Sequence, residues 1–267
     1  MDVLHKLALS AVVAAALCAP AKGQEYRLEE DIPYTAKTDA YSSGRLKLDI
    51  YHPEDVRDAK VVVWFHGGGL VKGNKKVPVQ LRKKGIVVVA VNYRLLPEVT
   101  IDAPIDDAAE AVAWVFNHIS EYGGSPDKVY VAGHSAGGYL TMMIGFDKSY
   151  LAKYGIDADR IAALVPYSGQ AISHFSYRKM QGIDRLTPVV DKYAPLYHAR
   201  GDCPKTVLIT GDRELEMMGR YEENAYLLRM LKLHGHKDAR LYELGGFNHG
   251  KMAAPAHTIL LNVLKEQ

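Results

Sequence analysis

Gly133-His134-Ser135-Ala136-Gly137 follows the strand-like run Lys128-Val129-Tyr130-Val131-Ala132 and opens a helix-like segment. A G-x-S-x-G pattern entered from a strand and left by a helix needs a very tight turn with the serine at its apex. Glycine suits both flanking places, because a Cβ there would clash with the elements packed against the turn. At such an apex Ser135 stands exposed at the end of a sheet. The N-terminus of the following helix then favours negative charge developing beside it. Ser135 is the candidate nucleophile.

Upstream, Val61-Val62-Val63-Trp64-Phe65 reads as a buried strand that runs into His66-Gly67-Gly68-Gly69. Nucleotide-binding loops have a G-x-G-x-x-G spacing or a Lys-Ser/Thr ending, and this stretch has neither. It matches instead the HGGG-type loop whose free amides help to bind an oxyanion. Gly67 and Gly68 are the candidate donors, completed by the amide of Ala136, the residue after the serine.

Downstream, the apolar run Thr206-Val207-Leu208-Ile209-Thr210 ends in Gly211-Asp212-Arg213-Glu214. Leu241-Tyr242-Glu243-Leu244 then leads into Gly245-Gly246-Phe247-Asn248-His249-Gly250. Serine, acid, histidine is the chain order expected with such an elbow. A serine hydroxyl needs a base at neutral pH, and the base needs an orienting carboxylate. His249, in a glycine-flanked loop after a strand, is the best base among the 11 histidines. Asp212 and Glu214 both qualify as the acid, since each lies just past a strand end. His234 and His236 bracket Gly235 at a helix end and lack a third ligand nearby, so no metal site is expected.

Two further segments join these motifs: Asn92-Tyr93-Arg94-Leu95-Leu96-Pro97-Glu98 and the stretch from Pro104 to Trp114 containing Asp106-Asp107-Ala108. Together the four resemble the hormone-sensitive-lipase-like type of α/β-hydrolase, similar to small bacterial secreted carbohydrate esterases of the acetylxylan and feruloyl kind. The resemblance runs from about Leu46 to the C-terminus. It implies an α/β-hydrolase fold and hydrolysis of carboxylic esters by a Ser-His-acid mechanism, without cofactor or metal. It favours Glu214 as the acid, closing a G-x-x-D/E unit, and leaves Asp212 as a turn residue. Glu there departs from the group's usual Asp. The implied substrates are acyl esters of carbohydrates, acetyl or feruloyl. A general short-chain carboxylesterase and an arylformamidase-like amidase are the alternatives. A hydrolase-fold binding protein would have lost the serine, the histidine or the glycine loop, and none is lost. Arg94 with Glu98, Asp106 or Asp107 reads as an ion-pair network holding the glycine loop.

At 48% hydrophobic and 24% charged residues, the composition is that of one ordinary globular enzyme domain. A net charge of +2 is too small to argue for nucleic acid. Leu7 to Ala19 is an almost unbroken apolar run, followed by small residues at positions a signal peptidase reads. It is shorter than the ~20 residues of a membrane-spanning helix. Residues 1–23 are therefore expected to be a cleaved signal peptide, giving a secreted or periplasmic protein without stable membrane association. Its removal leaves Cys203 as the only cysteine, so no internal disulfide is expected.

Residues 24–267 alternate strand and helix, as expected of a mostly parallel sheet with helices on both faces. Two leading strands, Glu25 to Pro33 and Leu46 to Tyr51, suit an exposed antiparallel edge. Strands follow at Val61–Phe65, Ile86–Val91, Val129–Ala132, Ile161–Val165, Thr206–Thr210 and Ala239–Leu244. Helices are expected near Val77–Lys84, from Pro104, after Ser135, over Tyr221–His234 and over Ala254–Leu264. An insertion at about 168–204 is too long for an ordinary connection and stands where lids occur. His134 beside the serine, with Phe175 and Tyr177 of this insertion, are the candidate substrate contacts.

Overall fold

A computed structural model describes residues 23–266, so the expected signal peptide lies almost wholly outside the described residues. Eight strands form one sheet: β1 Tyr26–Pro33, β2 Lys47–Pro53, β3 Ala59–Phe65, β4 Val87–Val91, β5 Gly124–His134, β6 Ala163–Tyr167, β7 Thr206–Gly211 and β8 Ala239–Leu244. Seven helices accompany them: α1 Ala40–Arg45, α2 Asp102–His118, α3 Ala136–Phe146, α4 Lys148–Ala152, α5 Phe175–Met180, α6 Arg220–Leu233 and α7 Ala253–Lys265. The strand order is β1-β2-β4-β3-β5-β6-β7-β8. β1 pairs with β2 and β2 with β4 antiparallel, and every later pair is parallel. This is the mostly parallel α/β-hydrolase architecture.

Strand alternation builds a core on each face of the sheet. Val61, Val63 and Phe65 pack with Val87, Val89 and the apolar stripes of α2 and α3. Val62 and Trp64 face the other way, toward Val88, Tyr130, Tyr167, Met252 and the α7 residues Ala256 and Leu260. Strands buried on both faces are continuous apolar runs, which is why Val87–Val91 and Val61–Phe65 were legible.

Four elements differ from expectation. The helix expected near Val77–Lys84 is a single 3₁₀ turn, Val79–Leu81. Pro78 constrains the chain before it, and Lys83 and Gly85 have positive φ after it, so no longer helix propagates. β5 starts at Gly124, five residues ahead of Val129, because Gly124 extends the pairing to Ala59. β6 is displaced to Ala163–Tyr167, where the register sets Ala163 opposite Tyr130. Of the two leading strands, β1 is the exposed edge, whereas β2 is largely buried between β1 and β4.

The segment 168–204 holds α5 and a 3₁₀ turn at Pro195–His198. It is tied down rather than loose. The Ser176 hydroxyl donates to the Gly69 carbonyl at 2.5 Å, and the Tyr139 hydroxyl donates to the Tyr193 carbonyl at 2.8 Å.

Candidate active site

Three strands deliver the site at their C-terminal ends, where ligands bind in open α/β sheets. β5 ends at His134 and α3 begins at Ala136, so Ser135 occupies the whole turn, with φ 57° and ψ −114°. This strained backbone is held because the Ser135 amide donates to the Tyr167 carbonyl at 2.8 Å. Gly137 is obligatory, since a Cβ there would run into the Phe65 carbonyl at the end of β3. Ser135 itself is only 8% exposed, not the open apex expected, because the glycine loop lies against it. A Cβ on Gly67 would sit 3.4 Å from that of Ser135.

His249 Nε2 accepts a hydrogen bond from the Ser135 hydroxyl at 2.9 Å. Its Nδ1–H donates to a Glu216 carboxylate oxygen at 2.8 Å. The acid facing the histidine is therefore Glu216, which corrects both sequence candidates. Glu214 is exposed, and its amide donates to the Asp212 carboxylate at 2.9 Å. Asp212 accepts the Gly246 amide at 2.7 Å, and its own amide donates to the Phe247 carbonyl at 2.8 Å. It ties the acid loop to the histidine loop. The loop makes one helical turn after β7, the Glu216 amide donating to the Asp212 carbonyl at 2.8 Å. That turn carries residue 216, not 214, back under the imidazole. Nothing in the run Glu214-Leu215-Glu216 distinguishes the two glutamates without this loop path.

The Glu216 side chain is 1% exposed. Burial pushes its pKa up, but hydrogen bonds from His249, Ser168 and the Gly211 amide outweigh burial and hold it at about 2. Ser168 is a second participant that the sequence did not show. It is fully buried with φ 47°, donates its hydroxyl to Glu216 at 2.7 Å, and lies 2.9 Å from His249 Nδ1. Its position after β6, with its amide donating to the Ile209 carbonyl at 2.6 Å, puts it behind the imidazole.

Gly68, with φ 122°, turns the glycine loop where a Cβ would strike the Lys72 carbonyl. Ala136 is the first residue of α3, so its amide has no acceptor within the helix. The loop is clamped from outside by Tyr93, whose hydroxyl donates to the His66 carbonyl at 2.8 Å and whose ring stacks on His66 at 4.4 Å. Arg45 adds bonds to the Tyr93 carbonyl at 2.9 Å and the Gly73 carbonyl at 2.6 Å. Arg94 grips Asp107 bidentately at 2.6 and 2.9 Å, while Asp106 pairs with Lys153 at 2.9 Å. The clamp on the loop is thus Tyr93 and Arg45, with Arg94 one step removed.

The three candidate substrate contacts divide. His134 donates from Nε2 to the His249 carbonyl at 2.8 Å, backing the histidine loop instead of facing a ligand. Tyr177 packs edge-to-face on Tyr193 at 4.8 Å, inside the insertion's own small core. Phe175 reaches the glycine loop with its ring 3.1 Å from where a Gly69 Cβ would stand, and His134 Nδ1 lies 3.3 Å from the same place on Gly67. His236 is buried and takes the Pro204 carbonyl at 3.1 Å, while His234 is exposed. No group of three potential metal ligands occurs among the described residues.

Burial lowers the pKa of His66, His134 and His257 from 6.5 to about 4 in each case. The unfolded chain then binds protons that the folded chain refuses. Stability is full above about pH 6.5 and falls as pH drops toward 4, by about 1.4 kcal/mol per pH unit for each histidine. Urea midpoints taken between roughly pH 7 and 4.5 should descend accordingly. A flat profile would contradict neutral burial of these rings.

The chain matches the BD-FAE family over residues 48–219, which include Ser135 and Glu216 but not His249. A carboxylesterase of Mycobacterium tuberculosis is 37% identical over 127 residues, 45% of this chain and 38% of that protein. A probable isoprenylcysteine alpha-carbonyl methylesterase of Arabidopsis thaliana is 36% identical over 114 residues, 40% of this chain and 24% of that protein. The matches thus span about a quarter to two fifths of these relatives' length. Among solved structures, a truncated carbohydrate esterase from gut microbiota superposes with TM-score 0.75 at 19% identity, covering 92% of this chain and 98% of that one. Esterase 2 of Thermogutta terrifontis superposes with TM-score 0.67 at 22% identity, covering 91% and 93%. Fold, ordered motifs and family match agree: the chain belongs to the BD-FAE family of α/β-hydrolases.

Proposed function

We propose that this protein is a serine esterase that hydrolyses carboxylic esters through Ser135, His249 and Glu216. The observation that carries this reading is the continuous relay from the Ser135 hydroxyl through the imidazole to Glu216, at 2.9 and 2.8 Å. His249 takes the serine proton as Ser135 attacks the ester carbonyl. The amides of Gly67, Gly68 and Ala136 receive the oxyanion, and the imidazolium then protonates the leaving alcohol. Water activated by the same imidazole releases the acid. Trapping tests the reading directly: a fluorophosphonate should label Ser135 stoichiometrically, and absence of labelling in active protein would refute it.

Acyl esters of carbohydrates, acetyl or feruloyl, are the substrates we favour. The carbohydrate esterase among the structural neighbours and the expected secretion support this choice. A general short-chain carboxylesterase is the second reading, supported by the mycobacterial relative. Nitrophenyl esters of graded chain length assayed beside acetylated and feruloylated glycans separate the two. We also propose secretion or a periplasmic location, which N-terminal sequencing of the mature protein tests.

The pH dependence has a defined sign. Glu216, held at about 2, stays ionised throughout the working range, so its own protonation does not cause loss of kcat/KM on acidification. Activity should fall on acidification well before Glu216 can take up a proton. A profile level down to about pH 3 would exclude His249 as the base.

A further inference from the structure

Beside the relay lies a cleft of about 100 Å³ lined by Gln170, Phe175, Arg178, Arg185, Met217 and Arg220. Its walls come from the 168–204 insertion, from the loop that carries Glu216 and from the start of α6. Phe175 rests on Gly69 of the glycine loop, and Met217 directly follows Glu216. Arg220 donates to the carbonyl of Ser168, the residue whose hydroxyl touches His249 and Glu216. The space is too small for a whole substrate and is placed to take one group of it.

The arginines are the unusual feature. Arg220 is 2% exposed and Arg178 3%, yet the side-chain hydrogen bonds they make go to main-chain carbonyls, of Ser168 and Thr187. The Nε of each is buried without a hydrogen-bond partner among the described residues. The charge of Glu223 acts on both buried arginines and that of Glu216 on Arg220, but the hydrogen bonds of these carboxylates go elsewhere. Glu216 is committed to His249 and Ser168, and Glu223 accepts the Ala171 amide at 3.1 Å. Asp184 is exposed and caps the Leu186 amide at 2.7 Å. Arg185, exposed at the rim, reaches the Met218 sulfur at 3.9 Å. Burying guanidinium groups without a bonded carboxylate is costly, and an anion entering the cleft would offset that cost.

We propose that this cleft is an anion subsite, and that the preferred ester carries a free carboxylate, in addition to its reacting carbonyl, held by Arg178, Arg185 and Arg220. The proposal rests on the esterase reading and adds a substrate class to it. Guanidinium forks match a carboxylate bidentately, while Phe175 and Met217 offer apolar contact to the carbons that carry it. The carboxylate has two sources: a uronic acid on the alcohol side, or the far end of a dicarboxylic acid on the acyl side.

Two matched pairs of substrates test the proposal on the purified protein. For the alcohol side, acetylated methyl glucuronoside is compared with acetylated methyl glucoside. For the acyl side, the mono-4-nitrophenyl ester of adipic acid is compared with 4-nitrophenyl hexanoate. In one pair the acidic member should have the higher kcat/KM by about ten-fold or more, with the advantage shrinking as salt is added. Arg178→Gln and Arg185→Gln should each lower that ratio. Arg185 is exposed, so its variant tests the site without disturbing the core. Free adipate should compete with 4-nitrophenyl hexanoate in the wild type where adipamide does not, a measurement that needs no variant. A ratio near or below one in both pairs, with the neutral esters turned over, overturns the anion subsite and leaves the esterase intact. A ratio unchanged in both variants likewise overturns it. Failure of all four esters together with failure of fluorophosphonate labelling overturns the esterase reading, and the subsite with it.

Discussion

Replacing Ser135 by alanine should lower kcat by about 10⁶-fold, since loss of the serine of a comparable triad costs about that much. The methyl group offers no nucleophile, and the residual rate over water comes from the oxyanion donors and binding alone. The fold should survive. Alanine is no worse than serine at φ 57°, and the elbow's amide bond to the Tyr167 carbonyl does not involve the side chain. Thermal midpoint and circular dichroism of Ser135→Ala should therefore match wild type while ester turnover disappears. Retained turnover at the wild-type level would remove Ser135 from the mechanism.

Glu216→Gln should cost about 10⁴ in kcat, roughly 5 kcal/mol of transition-state stabilisation, with much smaller change in KM. An amide in this place keeps the shape but can present an N–H to His249 Nδ1, favouring the wrong tautomer, and it cannot balance the imidazolium. Glu214→Gln is the control. Its side chain is exposed and serves no contact to His249, so its rate should stay near wild type. Asp212→Asn should fall between, through loosening of the two loops that Asp212 joins. Variants of equal thermal stability compared on one ester give the ranking. A crippled Glu214→Gln beside a normal Glu216→Gln would reverse the assignment.

The motifs that local backbone chemistry dictates were readable in the chain. Gly133 and Gly137 around Ser135 announce an elbow because only that residue pattern tolerates so tight a turn between strand and helix. Continuous apolar runs announced β3 and β4, which are buried on both faces. The weak points were those where neighbours outvote local pattern. Val77–Lys84 reads as helix from its place between two parallel strands, but proline and positive-φ residues confine it to one turn.

By itself the sequence determined the fold class, the nucleophile elbow, the glycine loop and the order of serine before histidine. The elbow and the glycine loop are each encoded by residues within a few positions of one another, and the fold class by the alternation of strand and helix patterns along the chain. The tertiary structure alone decided which carboxylate meets the imidazole, because the helical turn from Asp212 to Glu216 sets the direction of approach across 33 residues of chain. It likewise decided that Ser168 stands behind His249, that Tyr93 and Arg45 clamp the glycine loop, and that the buried Arg220 holds the Ser168 carbonyl. Such contacts join residues distant in sequence, and side-chain direction at a loop is set by packing that no local spacing records.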